Sequence, residues 1–179
     1  MDVINEFVKK NKEDTKKRVS LEINFGKSLF SSCIDFRVLE VDFFEKLSLI
    51  KSHSKMMEMK KNIYYEYFLN DLILHVFSDG SSFCYKNKYL KKENELCENN
   101  NLLSYELFEI ENLPNDLFPS LLEYNLEKKN DSISFFFEGF IVNFISCDEL
   151  EKYYQIKLIV NSSIKEKEIL NDIINLLKK

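Results

Sequence analysis

The groups in this chain that could do chemistry are acids, lysines and one histidine, set on the polar sides of segments that alternate polar and apolar residues. Glu22 lies in Val19–Gly26 (VSLEINFG), where Val19, Leu21, Ile23 and Phe25 face one way and Ser20, Glu22 and Asn24 the other. Glu123, Asn125 and Glu127 share one side of Leu121–Lys128. Gln155 and Lys157 share one side of Tyr153–Val160 with Tyr153 and Ile159. Lys86 and Lys88 fall in Ser81–Tyr89, and His75 stands between Leu74 and Val76. On the inside of a closed barrel such side chains converge on one volume with little freedom, which suits a charged ligand. On the outside they are solvated strand-face groups that pair across strands and contribute little. Thiol and zinc chemistry find no support. Cys33, Cys84, Cys97 and Cys147 form no C-x-x-C pair, His53 and His75 complete no zinc spacing, and free buried thiols are expected.

The elements that must position these groups follow from periodicity. The alternation over Val19–Phe25 predicts a half-buried strand ended by Gly26. Cys33–Val38 reads as a second strand, and Val41–Ser52 as a helix with Phe43, Phe44, Leu47 and Ile50 on one face, padding the outside of a sheet. Strand-like segments then succeed one another: Asn62–Leu69, Asp71–Phe77, Ser81–Tyr89, Leu102–Glu111, Ser120–Lys128, Ser132–Phe137, Phe140–Ser146 and Tyr153–Val160. Asn70-Asp71, Asp79-Gly80, Asn130-Asp131 and Glu138-Gly139 read as tight joints, and Pro114 and Pro119 bracket a longer corner. Ile164, Ile169, Leu170, Ile173, Ile174 and Leu177 form the apolar stripe of a closing helix. Glu93–Asn101 reads as an exposed loop.

Consecutive antiparallel strands on tight turns either expose edges or close on themselves. The reading is therefore a mainly β, α+β domain: a closed antiparallel barrel of eight or so strands with flanking amphipathic helices. Residues 1–17 read as a short helix and polar tether, and 18–179 as one barrel domain. With helices over the greasy outside, the polar faces would surround a solvated bore. At 179 residues, 45% hydrophobic and 31% charged, the chain can bury such a core. Its net charge of −5 argues against broad adhesion to duplex nucleic acid or an anionic membrane. Met1–Lys17 lacks the apolar core of a signal peptide and no long apolar run follows, so a nuclear or cytoplasmic place is expected and no membrane.

Val19–Gly26 resembles the first barrel strand of the fungal and protozoan tunnel-type RNA 5'-triphosphatases, the metal-dependent phosphohydrolases that begin mRNA capping, in which a Glu-x-Glu run precedes an apolar residue and Gly. FIVNFISC (Phe140–Cys147) and YYQIKLIV (Tyr153–Val160) resemble that family's last two strands, followed by a helix as here, and Asn62–Tyr89 resembles its middle strands. The resemblance implies a triphosphate tunnel in which Mg or Mn, held by carboxylates, works on the terminal phosphate of triphosphate-ended RNA beside fixed cations. Carried over position by position, Glu22 matches one glutamate of the first strand and is the candidate catalytic residue and metal ligand, with Glu123 or Glu127 helping to hold a metal that orients water. His75 falls near the family's arginine and Lys86 or Lys88 near its lysine, and together with Lys157 they are the candidates to steady the phosphates. The chain departs from the pattern where it matters most. Ser20 stands for the partner of Glu22, Gln155, Lys157 and Ile159 for the alternating glutamates of the last strand, and Asn143 and Ile145 for an Asp and a Thr.

Three readings stay open on the sequence. One is a divergent triphosphatase subunit of the capping apparatus, partnered by a guanylyltransferase or another transcription or capping protein, as a monomer or homodimer. The second is a non-catalytic scaffold or binding subunit of the same fold, like the paired Mediator subunits. The third is an unrelated barrel that holds a small ligand.

Overall fold

The computed structural model describes residues 19–28, 36–69, 72–79, 82–89, 102–110, 127–148 and 151–178, with isolated positions 5 and 9. At 19, 27–28, 68–69, 72–73, 82–89, 102–110 and 127–128 it describes the backbone alone. In chain order the elements are β1 (Val19–Phe25), β2 (Lys27–Ser28), β3 (Phe36–Arg37), α1 (Glu40–Lys51), β4 (Glu58–Leu69), β5 (Leu72–Phe77) and β6 (Ser82–Tyr89). They continue with β7 (Leu102–Ile110), β8 (Glu127–Phe137), β9 (Phe140–Asp148), β10 (Lys152–Asn161) and α2 (Lys167–Lys178).

Eight of the strands form one antiparallel ring in the order β1-β10-β9-β8-β4-β5-β6-β7, and β7 pairs back onto β1. Closure gives every strand two neighbours and leaves no edge to protect. Period-two alternation then splits each strand between two environments. Leu21, Ile23 and Phe25 of β1, Phe135 and Phe137 of β8, Val142 and Phe144 of β9, and Ile156, Leu158 and Val160 of β10 join one core with the buried residues of both helices. That core lies outside the ring, between sheet and helices. The opposite faces of the same strands carry Glu22, Asn24, Asn130, Ser132, Ser134 and Gln155, all buried.

The first helix, α1, is fixed by aromatic packing and a hydrogen bond. Phe43 of α1 meets Phe144 edge-on at 5.4 Å and Tyr154 at 4.7 Å between ring centroids. The Tyr154 hydroxyl donates to Glu40 Oε1 at 2.7 Å, and this bond is the first cause holding the phenol above its ordinary pKa. Glu40 and Asp42 in the first turn suit the positive end of the helix dipole. On α2, Leu170, Ile173, Ile174 and Leu177 are buried, as the stripe predicts. Asn5 and Lys9 are helical, and Asn5 Oδ1 accepts a hydrogen bond from Lys167 Nζ at 2.8 Å; the rest of the expected N-terminal helix and tether lies outside the described residues. No helix among the described residues is long and apolar enough to cross a membrane.

Three expectations are corrected. The joint expected at Asn130-Asp131 is absent: β8 runs unbroken through it, because Asn130 pairs with Tyr64 on one side and Cys147 on the other, and two ladders outweigh local turn preference. Residues 120–126 of the strand expected before it lie outside the described residues. β4 begins at Glu58, four residues early, where its pairing with Phe136 of β8 recruits the polar stretch after α1. Of the strand expected over Cys33–Val38, Phe36–Arg37 is β3 and Val38 bridges Tyr154, and residues 33–35 lie outside the described residues. Phe44, expected on the core face of α1, is 49% exposed, since it stands one residue, about 100° of helix, from buried Phe43.

Candidate functional site

The inward face is built row by row from the register. Asn24 of β1 lies opposite Lys157 of β10, which lies opposite Asn143 of β9 and then Ser134 of β8. A second row runs Tyr153, Cys147, Asn130, Tyr64, Phe77. Paired residues of an antiparallel ladder share a face, so these side chains meet in one volume.

Two acid–base pairs dominate that volume. Lys157 Nζ lies 3.3 Å from Glu22 Oε1, with the side chains 15% and 6% exposed. His75 Nε2 lies 2.7 Å from Glu66 Oε2. Between them stands Tyr64, its ring 4.7 Å from His75 and 5.3 Å from Phe77. Burial raises the Tyr64 phenol well above its usual pKa; Glu66, Cys147 and Glu22 add to the rise and Lys157 opposes it. All four charged or polar neighbours are thus within electrostatic reach of one hydroxyl. The buried Cys147 thiol, in no disulfide, donates to Gln155 Oε1 at 3.6 Å. At one end of the ring the Arg37 guanidinium stacks 3.7 Å above the Tyr153 ring. Among the described residues this part of the inward face is a buried polar layer with the Tyr64, His75 and Phe77 rings packed on one another.

The raised Tyr64 pKa carries a pH signature. The folded protein keeps the phenol proton at pH values where the unfolded chain releases it, so this contribution is intact below about pH 10 and is lost as pH rises through the folded value. Tyr64→Phe should therefore flatten the fall in stability at high pH. Urea midpoints of both proteins from about pH 8 to about pH 11 measure it; a gap between them that stays constant with pH would contradict the assignment.

The candidate residues divide by register. Glu22, Lys157 and His75 lie on the inward rows. Lys88 pairs with Glu106, which pairs with Leu21, and Lys86 pairs with Leu72, so both lysines fall on the alternate rows. Glu127 pairs with Tyr67, also alternate to the Glu66 position. The register therefore does not bring Lys86, Lys88 or Glu127 to Glu22, because one residue of phase exchanges the two faces. Glu123, Cys33 and Cys97 lie outside the described residues, and Cys84 is described by backbone alone.

Glu66 was missed by motif reasoning, yet a signal existed. With Leu69 opposite Leu72 across a two-residue joint, three further steps along each strand place Glu66 opposite His75. An acid inside an aromatic strand facing a histidine in the next is a pair that hairpin geometry alone predicts.

A divalent metal of the kind the resemblance implies needs several oxygen ligands, usually with more than one carboxylate. Here the nearest cation to Glu22 is an ammonium, and Asn24, Asn143 and Gln155 supply amides. Among the described residues no three His, Cys, Asp or Glu side chains converge closely enough to hold a metal. Asn24 Nδ2 and Asn143 Oδ1, flanking Lys157, are buried without hydrogen-bond partners, and one of the two is a donor, unsuited to a cation. The described residues do not fit the metal. Nor do Lys157 and His75 form a cationic cradle, since each sits against an acid.

No family model matches the chain, and no curated protein matches its sequence. Solved structures do. The S. pombe Pct1 RNA triphosphatase aligns at a TM-score of 0.61 and 7% identity, covering 99% of this chain and 91% of that one. The same protein in complex with the Spt5 CTD aligns at 0.56 and 8% identity, over 99% and 93%. At such identities the likeness establishes the fold: this chain shares the curled antiparallel barrel of an RNA triphosphatase along nearly its whole length.

Proposed function

We propose that this chain is a triphosphatase-like barrel subunit of a capping or transcription assembly that works by binding, its hydrolytic chemistry lost. The Glu22–Lys157 pair carries the reading. An ammonium against the first-strand acid neutralises the charge that a metal would need, and the acid neutralises the lysine that a phosphate would need. A partner protein from transcription or capping, a guanylyltransferase among them, fits this reading, and the fold neighbour's structure with the Spt5 CTD supports it by analogy. The place of action is then nuclear or cytoplasmic.

Phosphate release from triphosphate-ended RNA and from ATP, with Mg or Mn, tests the proposal. Release at the level of buffer is expected, unchanged by Glu22→Ala. The hydrolytic alternative rests on Glu22 being buried and inward-facing, and it predicts the reverse: metal-dependent release that Glu22→Ala abolishes.

A further inference from the structure

Outside the barrel, α1 is apolar on two sides. Phe43 and Ile50 are buried against the sheet, while Val41 is 75%, Phe44 49% and Leu49 43% exposed. Beside Phe44 the surface opens into a groove of about 530 Å³ between α1 and strands β4, β8, β9 and β10, with Phe43, Leu47, Ile63, Ile133, Phe144 and Tyr154 among its lining. That volume lies in the range of about 300–1,000 Å³ that binding clefts occupy. Ile63 is 41% exposed, and Met57 and Met59 extend the apolar surface along the start of β4. Contiguous exposed apolar surface of this kind marks an interaction site.

The rim names the occupant. Lys61 and Lys152 lie on it, both exposed and without an ion pair among the described residues, against a single lining acid, Asp131. On a chain of net charge −5, these two exposed lysines beside an aromatic groove form a local positive frame around an apolar floor. We propose that this groove docks a short segment of a partner protein, in which a large apolar or aromatic anchor is flanked by carboxylates. A second copy of this chain is the poorer occupant: a two-fold interface would bury the same patch of both copies, bringing the lysines of both into one contact with only the Asp131 carboxylates of the lining to offset them. The inference rests on the reading of the chain as a binding subunit, which the phosphate-release assay tests separately.

The test uses fluorescein-labelled dodecapeptides carrying a Phe and Leu core flanked by glutamates, the same core flanked by lysines, and a serine core flanked by glutamates. Anisotropy with the full chain should show binding of the first alone, weakening as salt is raised. Lys61→Glu combined with Lys152→Glu, or Phe44→Ser, should each reduce affinity about tenfold or more, one order being 1.4 kcal/mol. Thermal melts show that these surface variants fold. The proposal is overturned if no peptide binds, if acid- and lysine-flanked cores bind alike, or if the folded variants bind within about twofold of the wild type. It is equally overturned if sedimentation reveals a dimer that Phe44→Ser dissociates, since a second copy would then occupy the groove.

Discussion

Lys157→Met is expected to destabilise the protein by about 3 kcal/mol, because it strips the cation from a carboxylate that has nowhere to go. Glu22 is inward, 6% exposed, and held between β7 and β10 by the ring itself, so it cannot turn out to solvent. Losing one partner of a buried pair costs more than the pair contributes, since the remaining charge stays desolvated. For a domain of this size that is a fall in Tm of about 6–12 °C. The companion variant is the decisive one. Glu22→Gln combined with Lys157→Met removes both charges and should recover most of the loss, so a double-mutant cycle by urea denaturation should report strong coupling. If the two single effects simply add, the pair is not the interior contact described.

Gly26→Ala should be nearly as costly, at about 3 kcal/mol. Gly26 has φ of +116° at the point where β1 leaves the ring and turns into β2, a region of backbone space that residues with a Cβ rarely enter. A Cβ there would stand 2.3 Å from the carbonyl oxygen of Arg37, a backbone atom anchored through β3 and the Val38 bridge to Tyr154. The obstacle cannot rotate away, so Arg37 and its stacking contact on Tyr153 must shift. A drop in Tm of about 6–12 °C is anticipated, with quenched or altered tyrosine fluorescence reporting the displaced stack. An alanine variant within about 1 kcal/mol of wild type would show that the chain relieves the contact elsewhere.

Much of this architecture can be read from one residue in two. The alternation through Val19–Phe25 and Tyr153–Val160 separates greasy from polar faces correctly at every described position, and the stripe from Leu170 to Leu177 marks the side of α2 that is buried. Barrel closure also follows from local information, since many short strands on tight joints leave few other arrangements. The site was legible where a strand's own pattern decides it, at Glu22 and Lys157, and at Glu66 and His75 through one hairpin.

Registers between distant strands were not legible. Lys86, Lys88 and Glu127 carry suitable chemistry, yet pairing sets them on alternate rows, and no property of their own segments decides which row they join. Asn130-Asp131 looks like a turn until ladders on both sides hold it extended. By itself the sequence determined which residues are apolar at which period, and hence the strands, the helices and the two-faced sheet. The tertiary structure decided which polar side chains meet, because those contacts span long stretches of chain, 135 positions from Glu22 to Lys157, and depend on a phase that one inserted or deleted residue would invert.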